Sequence, residues 1–247
     1  MKQFIAANWK MNKTREETHQ FFRDFTEKKV DTTKRDVVFH VPFTSLGIAR
    51  EYTDELGLTV GAQNFHPAKN GAYTGEISAA MLVEIGAHVV LVGHSERRAL
   101  FGETDKFVNE KIKAALASNL WVTFCIGESL AQREKNETEK VLADQLKKGM
   151  DGVELPTEGE YKLVVAYEPV WAIGTGKVAT SEQIAQTHKF IKAQLKKMYP
   201  GVTIPVLYGG SANEKNAKEI LSIKGVDGVL VGGASLDVDK FAAIINA

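Results

Sequence analysis

Short runs of apolar and β-branched residues recur along the chain: "FIAAN" from Phe4, "VVFHV" from Val37, "TVGAQ" from Thr59 and "VVLVG" from Val89. Four more follow, "WVTFCIG" from Trp121, "KLVVAYE" from Lys162, "IPVLYGG" from Ile204 and "GVLVGG" from Gly228. Nearly continuous apolar runs predict strands buried on both faces, as parallel sheets require. Between them the apolar spacing turns helical, as in Phe107, Val108, Ile112, Ala115 and Leu116, or Ile184, His188, Ile191 and Leu195. "TREE" at Thr14, "SLAQ" at Ser129 and "TSEQ" at Thr180 each fit a capping box, in which a hydroxyl and a Glu or Gln three residues on satisfy free backbone N–H groups. The pattern predicts about eight strands alternating with about eight helices. No linker or low-complexity tract interrupts it, so residues 1–247 are expected to form one α/β domain, a single (β/α)8 barrel with eight parallel strands. Five or six units would instead suit an open doubly wound sheet, so the barrel depends on the count of eight.

Composition narrows the partners. The 31 basic and 31 acidic residues cancel, which argues against a nucleic-acid or anionic-membrane partner while leaving room for a local cationic pocket. No run approaches the roughly 18 apolar residues of a membrane span. Cys125 is the one cysteine and "MKQFIAANWK" breaks its apolar run too early for a signal segment, so a reducing, cytoplasmic location is expected. The six histidines are scattered without ligand spacing, and neither a metal nor a cofactor is expected.

A barrel carries its chemistry at the C-terminal ends of its strands. The first run ends "ANWKMN", which sets Asn8 and Lys10 on one side of an extended chain. The fourth ends "VGHSERR"; His94 directly precedes a predicted short helix, whose dipole favours a neutral ring able to donate to a carbonyl. Taken singly, the lysine also reads as a surface amine and the histidine as a core residue. The sixth run ends at Glu168, where burial would raise the pKa and strengthen the base. "PVWAIGTGK" follows, with Pro169, Gly174 and Gly176 around an apolar stretch, and predicts a lid; a packed turn is the other reading. Lys177 does not make a P-loop, because Trp171 stands where the first glycine belongs and Val178 where Ser or Thr belongs. The last two runs end "YGGS" and "VGGAS", so Gly209, Gly210, Ser211, Gly232 and Gly233 suit a phosphate. A base, a neutral donor, a cation and a phosphate cradle, without a nucleophile and its base, fit proton transfer beside a carbonyl through an enediolate.

In order and spacing, "NWKMN", "GAQN", "GHSERR", "CIGE", "AYEPVWAIGTGK", "YGGS" and "LVGGAS" resemble the triosephosphate isomerase family along nearly the whole chain. The resemblance implies interconversion of dihydroxyacetone phosphate and glyceraldehyde 3-phosphate without a cofactor, in glycolysis and gluconeogenesis. It implies Glu168 as base, His94 as electrophile, Lys10 and Asn8 as the substrate-contacting pair, Glu96 as a supporting acid, and Gly174, Ser211, Gly232 and Gly233 as the phosphate-contacting backbone. "ESLAQRE" from Glu128 and Ala212 depart mildly from the family pattern. The long segment 61–78, with Phe65 and Tyr73, resembles the family's intersubunit loop and implies a homodimer, with Thr74 near Asn8, Lys10 and His94 of a second copy. Two rivals are weighed: an aldolase would need a Schiff-base lysine where the sixth strand offers Glu168, and a non-catalytic phosphosugar-binding barrel could dispense with Lys10, His94 or Glu168.

Overall fold

The computed structural model describes residues 2–157, 162–173 and 178–247. Its eight strands are β1 (Gln3–Asn8), β2 (Arg35–Val41), β3 (Thr59–Ala62), β4 (Val89–Val92), β5 (Trp121–Ile126), β6 (Leu163–Tyr167), β7 (Val206–Tyr208) and β8 (Gly228–Val231). All pair in parallel in sequence order, and β8 returns to β1 through Phe4–Gly228 to Ala7–Val231, which closes the barrel. Each run named above falls on one strand.

Strand pleating explains why the runs are apolar throughout. Phe4 and Ala6 of β1 point inward to a small cluster with Val38, Val89, Leu91, Cys125, Val164, Ala166, Leu207 and Leu230. Their neighbours Ile5 and Ala7 face outward into the larger layer between barrel and helices. Burial on both sides leaves few polar positions within a strand.

The three capping boxes form as expected, at Thr14 with Glu17, Ser129 with Gln132 and Thr180 with Gln183. The helix Arg15–Thr26 buries Phe21, Phe22 and Phe25, whose rings pack against Phe39 and Trp9. Helix Ser181–Met198 buries Ile184, His188, Ile191 and Leu195, the stripe read from the sequence. Two connections hold more helix than the periodicity indicates: Ser95–Leu100 precedes Asp105–Ala117, and Leu130–Glu134 precedes Thr138–Gly149. Segments of five or six residues are too short to show a 3.6-residue period.

Two histidines are locked in the interior. The His40 ring donates from Nδ1 to the Ala62 carbonyl and accepts the Thr123 hydroxyl at Nε2, each at 3.2 Å. His188 donates from Nδ1 to the Gly225 carbonyl at 3.2 Å. Burial, opposed by those carbonyl bonds, lowers both pKa values to about 4. The unfolded chain therefore binds more protons between pH 6.5 and 4, so stability is full above 6.5 and falls as the pH drops toward 4. The loss should approach about 3 kcal/mol for each ring, read as a decrease in the urea midpoint from pH 7 to pH 4.5. Replacing His40 with Ala and Thr123 with Val together should flatten that decrease; an unchanged slope would remove His40 as a source.

Candidate active site

The strand ends bring Asn8, Lys10, His94 and Glu168 to one cavity of about 260 Å³, also lined by Gly209, Gly210, Ser211, Gly232 and Gly233. Asn8 is the last residue of β1 and is 4% exposed. The chain does not stay extended to Lys10, which turns left-handed with φ 54°, a conformation that costs a non-glycine residue roughly 1–2 kcal/mol. Its N–H donates to Asn8 Oδ1 at 3.1 Å, which stabilises the turn, and its ammonium pairs with Glu96. Asn8 thus reaches the cavity by the alternation that turns Phe4 and Ala6 inward, and Lys10 by the turn that follows the strand.

His94 caps the helix Ser95–Leu100: its Nδ1 accepts the Glu96 N–H at 3.2 Å. The ring proton therefore sits on Nε2, which donates to Glu168 Oε1 at 2.9 Å. The other carboxylate oxygen accepts the Ser95 N–H at 2.9 Å. Glu168 follows β6 directly and is 2% exposed. Burial favours its neutral form, as the sequence suggested, but His94, the Ser95 N–H and Lys10 outweigh burial and hold the carboxyl below its ordinary pKa. The expected raised pKa is thereby corrected: the partners of Glu168 favour its ionised form more than burial disfavours it.

The expectation of an imidazole kept neutral also needs revision for the ligand-free site. Burial disfavours the imidazolium, yet the adjacent Glu168 charge raises the His94 pKa above its ordinary value. The cap bond opposes that influence, because a protonated Nδ1 cannot accept from Glu96.

The glycine turns have two kinds of reason. A Cβ on Gly209 would lie 2.9 Å from Glu168 Cγ, so that residue is small to admit the carboxylate stem. A Cβ on Gly233 would meet nothing within 4 Å; this glycine opens the cavity at the start of the Gly233–Leu236 turn. Ser211 is already engaged: its N–H and Oγ–H donate to the Ala172 carbonyl at 3.1 and 2.6 Å. It therefore tethers the segment following Glu168 in this form. Gly174, together with the rest of 174–177, lies outside the described residues. Cys125 is buried and free; burial, then the Glu168 charge, pushes its thiol well above its ordinary pKa, which suits an inert packed group.

The sequence reading missed Ser95 as a contributor, because its N–H rather than its side chain serves the site; the helix start after His94 was the available signal. Gln63 and Leu91 line a second cavity of about 270 Å³ that shares Asn8, Lys10 and His94 with the first.

The family model for triosephosphate isomerase matches residues 3–247. The chain belongs to the triosephosphate isomerase family. Among its relatives, the triosephosphate isomerase of Aquifex aeolicus (strain VF5) is 45% identical over 99% of each chain. That of Oleidesulfovibrio alaskensis (strain G20) is 46% identical over the whole of both chains, and that of Clostridium botulinum (strain Loch Maree) 47% identical over 98% of each. Membership supports an intramolecular aldose–ketose isomerase, and the non-catalytic phosphosugar barrel is not favoured. No helix among the described residues is long and apolar enough to cross a membrane.

Proposed function

We propose that this chain interconverts dihydroxyacetone phosphate and D-glyceraldehyde 3-phosphate with Glu168 as the base, His94 and Lys10 as the groups that stabilise the oxygen, and Asn8 as an orienting amide. The observation that carries the reading is the buried Glu168 in hydrogen-bond contact with His94 at a cavity that also holds Lys10 and the glycine turns.

The chemistry follows from an exchange of partners. The substrate carbonyl takes Nε2–H from Glu168, and the freed carboxylate removes a proton from the adjacent carbon. The electron pair of that C–H bond moves into a new C=C bond and the carbonyl oxygen becomes an enediolate, stabilised by His94 and the Lys10 ammonium. The hydroxyl proton on the first carbon's oxygen passes to the former carbonyl oxygen, with His94 Nε2 as the group between them, and return of the carbon proton from Glu168 to the neighbouring carbon lets the first oxygen close the new C=O, so no external acid or oxidant is consumed. Glu96 orders Lys10 through its ion pair. Ser211, Gly232 and Gly233 are assigned to the phosphate, as is Gly174, outside the described residues. Ser211 must release Ala172 for its N–H to serve that purpose.

The test is incubation with dihydroxyacetone phosphate in heavy water. Carbon-bound deuterium in substrate and product is expected; isomerisation with none, or carbon–carbon cleavage, would end the proposal.

The working unit is proposed to be a cytoplasmic homodimer. Met11, Phe43 and Phe101 line the second cavity and are 97%, 37% and 67% exposed, an apolar rim that water disfavours. The segment 61–78 is anchored by buried Phe65 and carries an exposed tip where the Tyr73 ring packs at a tilt against His66. That tip, Thr74 included, is assigned to the cavity of the second copy. Deleting residues 69–75 should give monomers by sedimentation; a deleted variant that remains a dimer would count against the loop.

A further inference from the structure

We propose that Arg133 is a positioning residue for the reaction, acting through Glu128 and Trp171 on the segment that carries the base. Glu128 is a fully buried carboxylate just past β5. Its Oε1 accepts three donors: Tyr167 Oη at 3.1 Å, Trp171 Nε1 at 3.0 Å and Arg133 Nη1 at 3.0 Å. The guanidinium also stacks over the Trp171 ring, 5.0 Å from its centre. Arg133 belongs to the short helix Leu130–Glu134, whose start is secured by the Ser129 capping box. This is the "ESLAQRE" segment that departs from the family pattern and touches none of the reacting groups.

The geometry gives Arg133 two tasks. Glu128 is sealed from water, so its charge needs a cation; Arg133 is the cation paired with it among the described residues, and its side chain is itself mostly covered. Burial and the Glu128 charge keep the Tyr167 phenol protonated, so Tyr167 contributes a dipole and no charge. A planar guanidinium can pair with the carboxylate and lie on the indole together, which an ammonium does less well.

The clamp bears on the base through the backbone. Val170 N–H donates to the Glu128 carbonyl at 3.1 Å, two residues after Glu168. Trp171 is held by the carboxylate and the guanidinium, and Ala172 by Ser211. The turn Val170–Ala172 is thus fixed on one side by the Glu128–Arg133 pair and on the other by the strand end that lines the cavity. Arg133 does not line that cavity, so its removal should leave the binding groups in place while loosening where Glu168 sits. The inference rests on the reading of Glu168 as base.

The experiment compares Arg133→Met and Arg133→Lys in the full-length protein labelled with 5-fluorotryptophan. There are three tryptophans, so Trp9 and Trp121 serve as internal controls, with the Trp171 signal assigned from Trp171→Phe. Arg133→Met is expected to lower kcat about 10- to 100-fold, the scale of a small misplacement of reacting groups. KM should change by less than about threefold, because ground-state contacts persist. The Trp171 fluorine signal should shift or broaden while the other two stay. Arg133→Lys, which keeps the charge but not the planar stack, should recover part of kcat and move the Trp171 signal less than Arg133→Met does. A kcat for Arg133→Met within about twofold of wild type, or an unmoved Trp171 signal, overturns the proposal. So does joint movement of all three signals with a loss of kcat that Lys does not recover, since the arginine would then be merely structural. A fully active Glu168→Gln variant would remove the base without moving the fluorine readout, so the two ideas fail separately.

Discussion

Glu168→Gln should lower kcat by at least 10²–10⁴, about 3 to 5.5 kcal/mol of barrier, while KM changes far less. The amide preserves the shape of the side chain and can still accept from the Ser95 N–H, which now holds one carboxylate oxygen at 2.9 Å. It cannot take a proton from carbon. The buried site therefore keeps its packing and loses only the base. Steady-state kinetics with both triose phosphates would measure the split, with circular dichroism to verify the fold. A variant within a few-fold of wild type would strip Glu168 of its role.

His94→Gln should have the next largest effect, through two separable consequences. Loss of the donor to the developing oxyanion should lower kcat by about 10²–10³, or roughly 3–4 kcal/mol. The second consequence is a change in pH dependence. Burial is the largest influence on Glu168 and favours its neutral form; His94, through charge and hydrogen bond, leads the opposing influences. With the ring gone, burial weighs more and the carboxyl pKa rises. The base must be ionised to act, so the acid limb of kcat/KM should move to higher pH. A pH profile of the variant that loses rate uniformly, with its acid limb unmoved, would show that His94 does not hold Glu168 in its ionised state.

The two effects separate what Glu168 does from what keeps it ready. In the ligand-free site Glu168 accepts the His94 Nε2–H, and the Ser95 N–H holds the carboxylate from the other side. In the proposed mechanism substrate binding breaks that pair and so frees Glu168. Arg133 and Glu128 contact the turn Val170–Ala172 that follows Glu168 in the chain.

Much of this was open to reading along the chain. The eight apolar runs, the three capping boxes and the strand-end positions of Asn8, Lys10, His94 and Glu168 follow from local pattern, because a strand buried on two faces and a helix buried on one leave periodic marks in sequence. Parallel pairing then gathers all eight strand ends at one rim, so residues as far apart in the chain as Asn8, Glu168 and Gly233 meet without any local signal of their contact. The left-handed turn at Lys10 was not legible, since lysine rarely takes it and only the Asn8 amide makes it tolerable there.

Charge state was decided by the tertiary structure. Burial of Glu168 could be expected from its apolar run, and burial alone raises a carboxyl pKa; His94 and Ser95, more than 70 positions away, reverse the sign. His40 reads as one polar letter in an apolar strand until the barrel brings Thr123 to its ring from β5. Glu128 is likewise an ordinary motif residue until Tyr167, Trp171 and Arg133 converge on one of its oxygens. Periodicity is a property of neighbours in the chain and survives in the sequence, so the sequence alone determined the alternating elements and where their chemistry must gather. Electrostatic balance depends on distance in space within a medium that excludes water, so only the closed barrel decided which of those groups carry charge and which partners hold them.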